Sequence, residues 1–178
     1  MKSIVSVLMV GVLLLVGCTP PSTSQLSTAL NAVADASSVA VVVTQSLVAI
    51  GKVSPEVANQ VAVYSQSVNN AVTTSVAELN STDTNPVKIS KISAAFAAIA
   101  APAFGTQAPA VTAVIQAVSA AVNIFLNQLH SSSVVKLAAA APHAKPMSLL
   151  KKEDKTVLKK AVAKCAETNA KAELLKKK

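Results

Sequence analysis

Aromatic side chains, glycine and cysteine are scarce in this chain of 178 residues, which has no tryptophan, one tyrosine, three phenylalanines, four glycines and two cysteines. Arginine is missing altogether, so every strongly basic side chain is a lysine. Each shortage excludes something. With so few aromatics the chain packs helices closely instead of building a deep aromatic core. Gly11 and Gly17 fall in the first 17 residues, which leaves Gly51 and Gly105 alone in the remainder. That is too few for a phosphate-cradling loop or a nucleophile elbow. His130 and His143 have neither metal-ligand spacing nor a carboxylate beside them, and both read as solvated side chains. Asp35, Glu56, Glu78 and Asp83 are scattered along the chain, and Glu56 in a first helical turn serves the helix dipole better than catalysis. No catalytic set, metal site or cofactor is expected. Lysine without arginine or interleaved aromatics also argues against nucleic-acid readout.

The N-terminus carries the clearest signal. Lys2 is followed by an apolar run over residues 4–16, relieved only by Ser6 and Gly11, and then by Gly17 and Cys18. About 13 apolar residues fall short of the ~20 that span a bilayer, so the segment reads as a secretory signal peptide over residues 1–17. Leu15-Val16-Gly17-Cys18 resembles the lipobox of bacterial lipoproteins. The resemblance implies cleavage between Gly17 and Cys18, and lipid on the Cys18 thiol, whose thiolate is the nucleophile. Two or three acyl chains at ~0.8 kcal/mol per buried methylene hold such a protein to a membrane, where one chain would be marginal. Thr19, where an aspartate would signal retention at an inner membrane, implies the periplasmic face of the outer membrane in a Gram-negative source. Asn80-Ser81-Thr82 matches a glycosylation sequon, a chance match in a bacterial protein.

Charge divides the rest of the chain. Residues 1–129 hold Lys2, Lys52, Lys88 and Lys91 against Asp35, Glu56, Glu78 and Asp83, and are neutral. The whole net charge of +8 lies in residues 130–178, where 12 lysines face Glu153, Asp154, Glu167 and Glu173. With Cys18 taken by lipid, Cys165 has no intramolecular partner. It is a free thiol, a route to an intermolecular disulfide, or an alanine-sized filler on a helix face.

Between residues 26 and 130 apolar residues recur at helical spacing. Leu26, Leu30, Val33, Ala40, Leu47 and Ile50 stripe a first segment, and Val57, Val61, Tyr64, Val68, Val72, Val76 and Leu79 a second. Ile89, Ile92, Phe96, Ile99 and Ala103 mark a third, and Val111, Val114, Ile115, Val118, Val122, Phe125 and Leu129 a fourth. Gly51 and Gly105 lie just past helical patterns, where a left-handed cap is expected. Ser54-Pro55 and Asn85-Pro86 place a capping residue before a proline at the first helical position. Loops are predicted near 51–53, 81–85 and 105–108. Pro102 should kink or end the third helix. The β-branched run over residues 39–44, broken only by Ala40, is the one place where a strand competes, and its alternation is too poor to win. The predicted fold is all-α: an up-down-up-down four-helix bundle of alanine- and valine-rich helices over residues 26–130, after a lipidated tether at 18–25. Val61, Val68, Ile92, Phe96, Val118 and Phe125 should be buried.

A linker at 131–147 and a basic helical tail at 148–178 complete the chain, the tail bearing a narrow stripe of Leu150, Val157, Leu158, Ala161, Val162, Cys165 and Leu175. Beside a membrane, Lys151, Lys152, Lys155, Lys159, Lys160 and Lys164 can attract an anionic lipid or cell-wall polymer at ~1 kcal/mol per lysine. The plain alternative is a charged tail that only keeps the protein soluble. Two further readings stand beside an anchored scaffold or binding module. One is a holin-like or pore-forming protein that inserts helices, against which Thr112, Gln116, Ser119 and Asn123 form a polar side on the fourth helix. The other follows from a lipid anchor combined with a terminal lysine, which resembles the murein lipoprotein; the resemblance implies attachment of Lys178 to peptidoglycan, although an aromatic-arginine pair and strict heptads are missing.

Overall fold

The computed structural model of the chain describes residues 23–104, 108–131 and 152–177. Among them the regular elements are all helices, with no strand: α1 (Thr23–Ala49), α2 (Pro55–Asn80), α3 (Asn85–Ala97), α4 (Pro109–Ser131) and α5 (Lys152–Lys176).

Local chemistry sets most of the helix ends. α1 contains no proline or glycine and stops where Gly51 takes φ +66, in the left-handed region that favours glycine. The Gly51 amide donates to the Val48 carbonyl at 3.0 Å and the Lys52 amide to the Leu47 carbonyl at 2.9 Å, which satisfies carbonyls the helix end leaves open. α2 starts at the Ser54 cap, whose hydroxyl accepts the Val57 amide at 3.4 Å, with Pro55 in first position. α3 starts at Asn85 with Thr84 as cap, one residue earlier than expected, and Thr84 makes no side-chain capping bond. Its end also comes earlier than Pro102 alone suggests, at Ala97. Pro102 has no amide to offer the Ala98 carbonyl and its ring collides with that carbonyl, while residue 101 is pushed out of helical geometry. The last turn therefore unwinds back to Ala97. Gly105 lies outside the described residues. Residues 39–44 are helical within α1, because Ala40, Val41 and Thr44 are buried at helical spacing and the Thr44 hydroxyl bonds the Ala40 carbonyl at 2.7 Å.

Side-chain pairs give the helix directions. Ser27 with Asp154, Asp35 with Lys164 and Gln45 with the Lys171 carbonyl rise in step, so α1 and α5 are parallel. Asn69 with Asn169 and Gln66 with Glu173 run in opposite order, so α2 is antiparallel to α5. Ser93 approaches His130 while Phe96 meets Phe125, which makes α3 and α4 antiparallel. α5 packs on α1 and α2, α4 packs on α1, and α3 packs on α2 with a smaller contact to α4. The α1–α2 pair is therefore a central layer, with α5 on one side and α3 and α4 on the other.

The six residues expected in the core are all buried: Val61, Val68, Ile92, Val118 and Phe125 at 0% exposure and Phe96 at 4%. Phe96 and Phe125 have ring centroids 5.4 Å apart at a tilt of 56°, a favourable aromatic geometry. Two expectations need correction. Ile50 is 66% exposed, because α1 has already ended at Ala49. The basic helix, expected to stand apart on a linker, packs in the groove between α1 and α2, with Leu158, Ala161, Cys165, Ala172 and Leu175 buried there. Its apolar stripe is narrow, but the groove is lined by Ala34, Ala58 and Ala62, small residues that let the helix axes approach closely. Removing α5 would uncover this groove, so a deletion of the tail is not a clean test of what its lysines bind.

Replacing Phe96 by alanine should cost ~3 kcal/mol or more in a urea unfolding series. A loss below ~1 kcal/mol would mark α3 as a peripheral strap.

Candidate anionic-surface interface

α5 opens with Glu153 and Asp154 in its first turn, where carboxylates meet the positive end of the helix dipole. Asp154 is 3% exposed and its carboxylate accepts the Ser27 hydroxyl at 3.3 Å, which ties the start of α5 to the start of α1. From this point the lysines fall into two groups. Lys155, Lys159 and Lys160 are exposed and, among the described residues, make no ion pair. Lys155 and Lys159 are one turn apart, and Lys160 follows directly, so the three share the outer side of the first part of the helix.

The later lysines are engaged. Lys164 pairs with Asp35, which also accepts the Asn31 amide at 3.2 Å. Lys171 pairs with Glu167, and Lys176 pairs with Glu173 at 3.0 Å while donating to the Gln66 side-chain carbonyl at 2.5 Å. Lys171 holds the Glu167 carboxyl below the usual range, and hydrogen bonds from Gln66 and then Lys176 do the same for Glu173. These pairs are exposed, so each adds little to stability. Their effect is on where free positive charge remains. Of the six lysines singled out from the sequence, Lys155, Lys159 and Lys160 are therefore available and Lys164 is not. Lys151 lies outside the described residues and so does the side chain of Lys152, which begins α5. Gly17, Cys18 and Lys178 also lie outside them, as does His143.

Two polar features escaped the sequence reading. Lys88 is only 1% exposed, although its charge suggested an outer position. The signal was its step of four to Ile92 and Phe96, which places all three on one side of α3. Nearby, Lys91 reaches Asp83 at 2.6 Å and Glu78 at 3.4 Å. The Lys91 hydrogen bond holds the Asp83 carboxyl low and in turn raises the Lys91 ammonium, and Lys88 adds to the field on Asp83. The second feature is a polar layer where α5 meets α2. The Asn69 amide donates to Asn169 at 2.7 Å, whereas the oxygens Ser65 Oγ, Asn69 Oδ1 and Thr168 Oγ1 are buried without a hydrogen-bond partner among the described residues. Each such atom costs ~1–3 kcal/mol of lost solvation.

α1 and α4 are long and apolar enough to cross a membrane, with mean hydropathy 1.6 and 1.7 over their most apolar windows. On α4, however, Gln116, Asn123, Asn127 and His130 face outward and Ser119 bonds the Tyr64 hydroxyl at 3.0 Å. An outward polar stripe is the pattern of a water-facing helix. His130 is exposed; one ring nitrogen lies 2.7 Å from the Leu126 carbonyl and the other 3.4 Å from Ser93 Oγ. No group of three or more metal-ligating side chains occurs among the described residues. No protein-family model, curated protein or solved structure matches the chain.

Cys165 is a filler rather than a reactive group. It is 1% exposed in the groove, and burial, with Asp35 adding, pushes its thiol up to about 11 from 9.0. At about pH 8 an alkylating reagent should therefore leave the native thiol untouched and modify it promptly once urea unfolds the chain. The neutral thiol favours the folded state below pH 9.0, and that contribution should be lost as pH rises through about 11. The alkaline loss of stability should be smaller in Cys165→Ala. Rapid alkylation of the native protein would show that α5 leaves its groove.

Proposed function

We propose that this chain is an exported bacterial lipoprotein, anchored in the cell envelope through lipid on Cys18 after cleavage at Gly17. On this reading α1–α4 form an up-down-up-down bundle, α5 is a fifth helix docked on its α1–α2 face, and the assembly is a scaffold or binding module without catalysis. If the source is Gram-negative, the anchor lies in the periplasmic face of the outer membrane. Lys155, Lys159 and Lys160 meet an anionic envelope surface. The observation that carries the surface role is the segregation along α5, where Lys155, Lys159 and Lys160 make no ion pair among the described residues and Lys164, Lys171 and Lys176 are each paired with an acidic side chain. The anchor itself rests on Leu15-Val16-Gly17-Cys18 and the apolar run before it.

A second reading is favoured by the parallel course of α1 and α5. α5 runs for 25 residues away from the end where α1 begins, or ~37 Å at 1.5 Å per residue. A helix leading to that far side suits a tether, in which Lys178 is joined to peptidoglycan. Insertion of α1 and α4 into a bilayer is a third reading, supported by their hydropathy and opposed by the outward polar stripe on α4.

Growth of a bacterial host with a clickable fatty acid tests the anchor. Wild-type protein should carry the label and Cys18→Ala should lose essentially all of it. Equal labelling of the two would remove the anchor from the account.

A further inference from the structure

We infer that the partner of Lys155, Lys159 and Lys160 is the anionic headgroup layer of the membrane that holds the protein's own anchor, not an opposing membrane or a wall polymer. The inference rests on the lipoprotein reading of Cys18 and deepens it.

Three observations point the same way. The parallel pairing of Ser27 with Asp154, Asp35 with Lys164 and Gln45 with Lys171 sets the first turns of α5 beside the first turns of α1. Only five residues, 18–22, separate the end of the signal segment from α1, a reach of at most ~17 Å when fully extended. The unpaired lysines 155, 159 and 160 span ~8 Å along the helix at that near end. At the far end Lys171 and Lys176 are paired with Glu167 and Glu173, while Lys52 and Lys177 are exposed without an ion pair among the described residues, so charge alone does not choose the end and the short tether does.

α5 is also an outer helix. It packs on α1 and α2 and turns its remaining sides to solvent, so the lysine-bearing side can lie against a surface without disturbing the core. A charged layer is felt over ~8 Å at physiological salt, which is about the length of the unpaired lysine stretch. The short tether makes contact with the home membrane intramolecular, with an effective concentration in the millimolar range, whereas contact with a separate surface is bimolecular. Where α5 starts relative to the anchor, rather than the number of lysines, therefore selects the surface. Each lysine near the headgroups is expected to shift the balance about fivefold, the equivalent of ~1 kcal/mol.

The test is lysine acetylation read by mass spectrometry on the full mature protein, reconstituted in vesicles of phosphatidylcholine alone or of phosphatidylcholine with phosphatidylglycerol. Lys155, Lys159 and Lys160 should react about fivefold more slowly or less in the anionic vesicles at low salt, and the difference should vanish at high salt. Lys52 and Lys177, exposed at the opposite end, should react equally in both. Equal reactivity of the three lysines on protein shown to carry lipid at Cys18 overturns this inference and leaves the anchor standing. Protein without lipid at Cys18 overturns the anchor and this inference together. In a further arm, protein anchored in neutral vesicles is mixed with separate anionic vesicles or isolated cell wall. Protection appearing only there would identify an opposing surface as the partner and overturn the inference.

Discussion

The seating of α5 in the groove between α1 and α2 is the contact on which the rest of this structure depends. α1 and α2 are built from alanine, valine and serine, and two such helices bury little apolar surface between them. The third wall comes from α5, where Leu158 and Leu175 supply the large side chains and Ala161, Cys165 and Ala172 allow close approach. A fully buried leucine contributes ~1.5–3 kcal/mol relative to exposure, while the orphaned oxygens of Ser65, Asn69 and Thr168 take back ~1–3 kcal/mol each. The groove is thus held by fit more than by polar bonds. The exposed Asp35–Lys164 pair fixes register and adds little energy.

That seating also decides the electrostatics. Counted along the sequence, the C-terminal lysines form one basic tail. Folded, they are sorted by the helices beside them: Asp35 on α1 takes Lys164, Gln66 on α2 shares Lys176, and acids within α5 take Lys171 and again Lys176. Among the described residues, Lys155, Lys159 and Lys160 in the first turns, next to the start of α1, and Lys177 just past the last turn are exposed without an ion pair. The same parallel arrangement turns the end of α5 away from the start of α1.

Much of the scaffold was legible because it is written locally. Gly51 with Ser54-Pro55 specifies an end and a start through backbone geometry that no distant contact has to supply. Val61, Val68, Val118 and Phe125 lie on strong stripes of their helices and are buried as the spacing implies. The place of α5 was less legible, since its stripe is narrow and its lysines suggest solvent on all sides. What reveals its position is the complementary smallness of Ala34, Ala58 and Ala62 on two other helices, a long-range match that periodicity within one segment does not show. The burial of Lys88 and of Asn69 escaped for a related reason: residue type argued for the surface, while their steps to Ile92 and to Val72 argued for the interior. The candidate interface was legible in composition but only partly in detail: Glu167 and Glu173 lie at helical spacing from Lys171 and Lys176, whereas the pairing of Lys164 is set by Asp35, far away in sequence.

The most direct test of the central claim is a set of spin-label distances between α1 and α5. With labels at exposed positions Thr28, Lys155 and Leu174, a parallel, docked α5 predicts a narrow distribution within roughly 20 Å for 28 to 155, and one beyond roughly 30 Å for 28 to 174. Reversal of the two distances, or broad distributions for both, would contradict the docked parallel helix and the sorting of charge that follows from it.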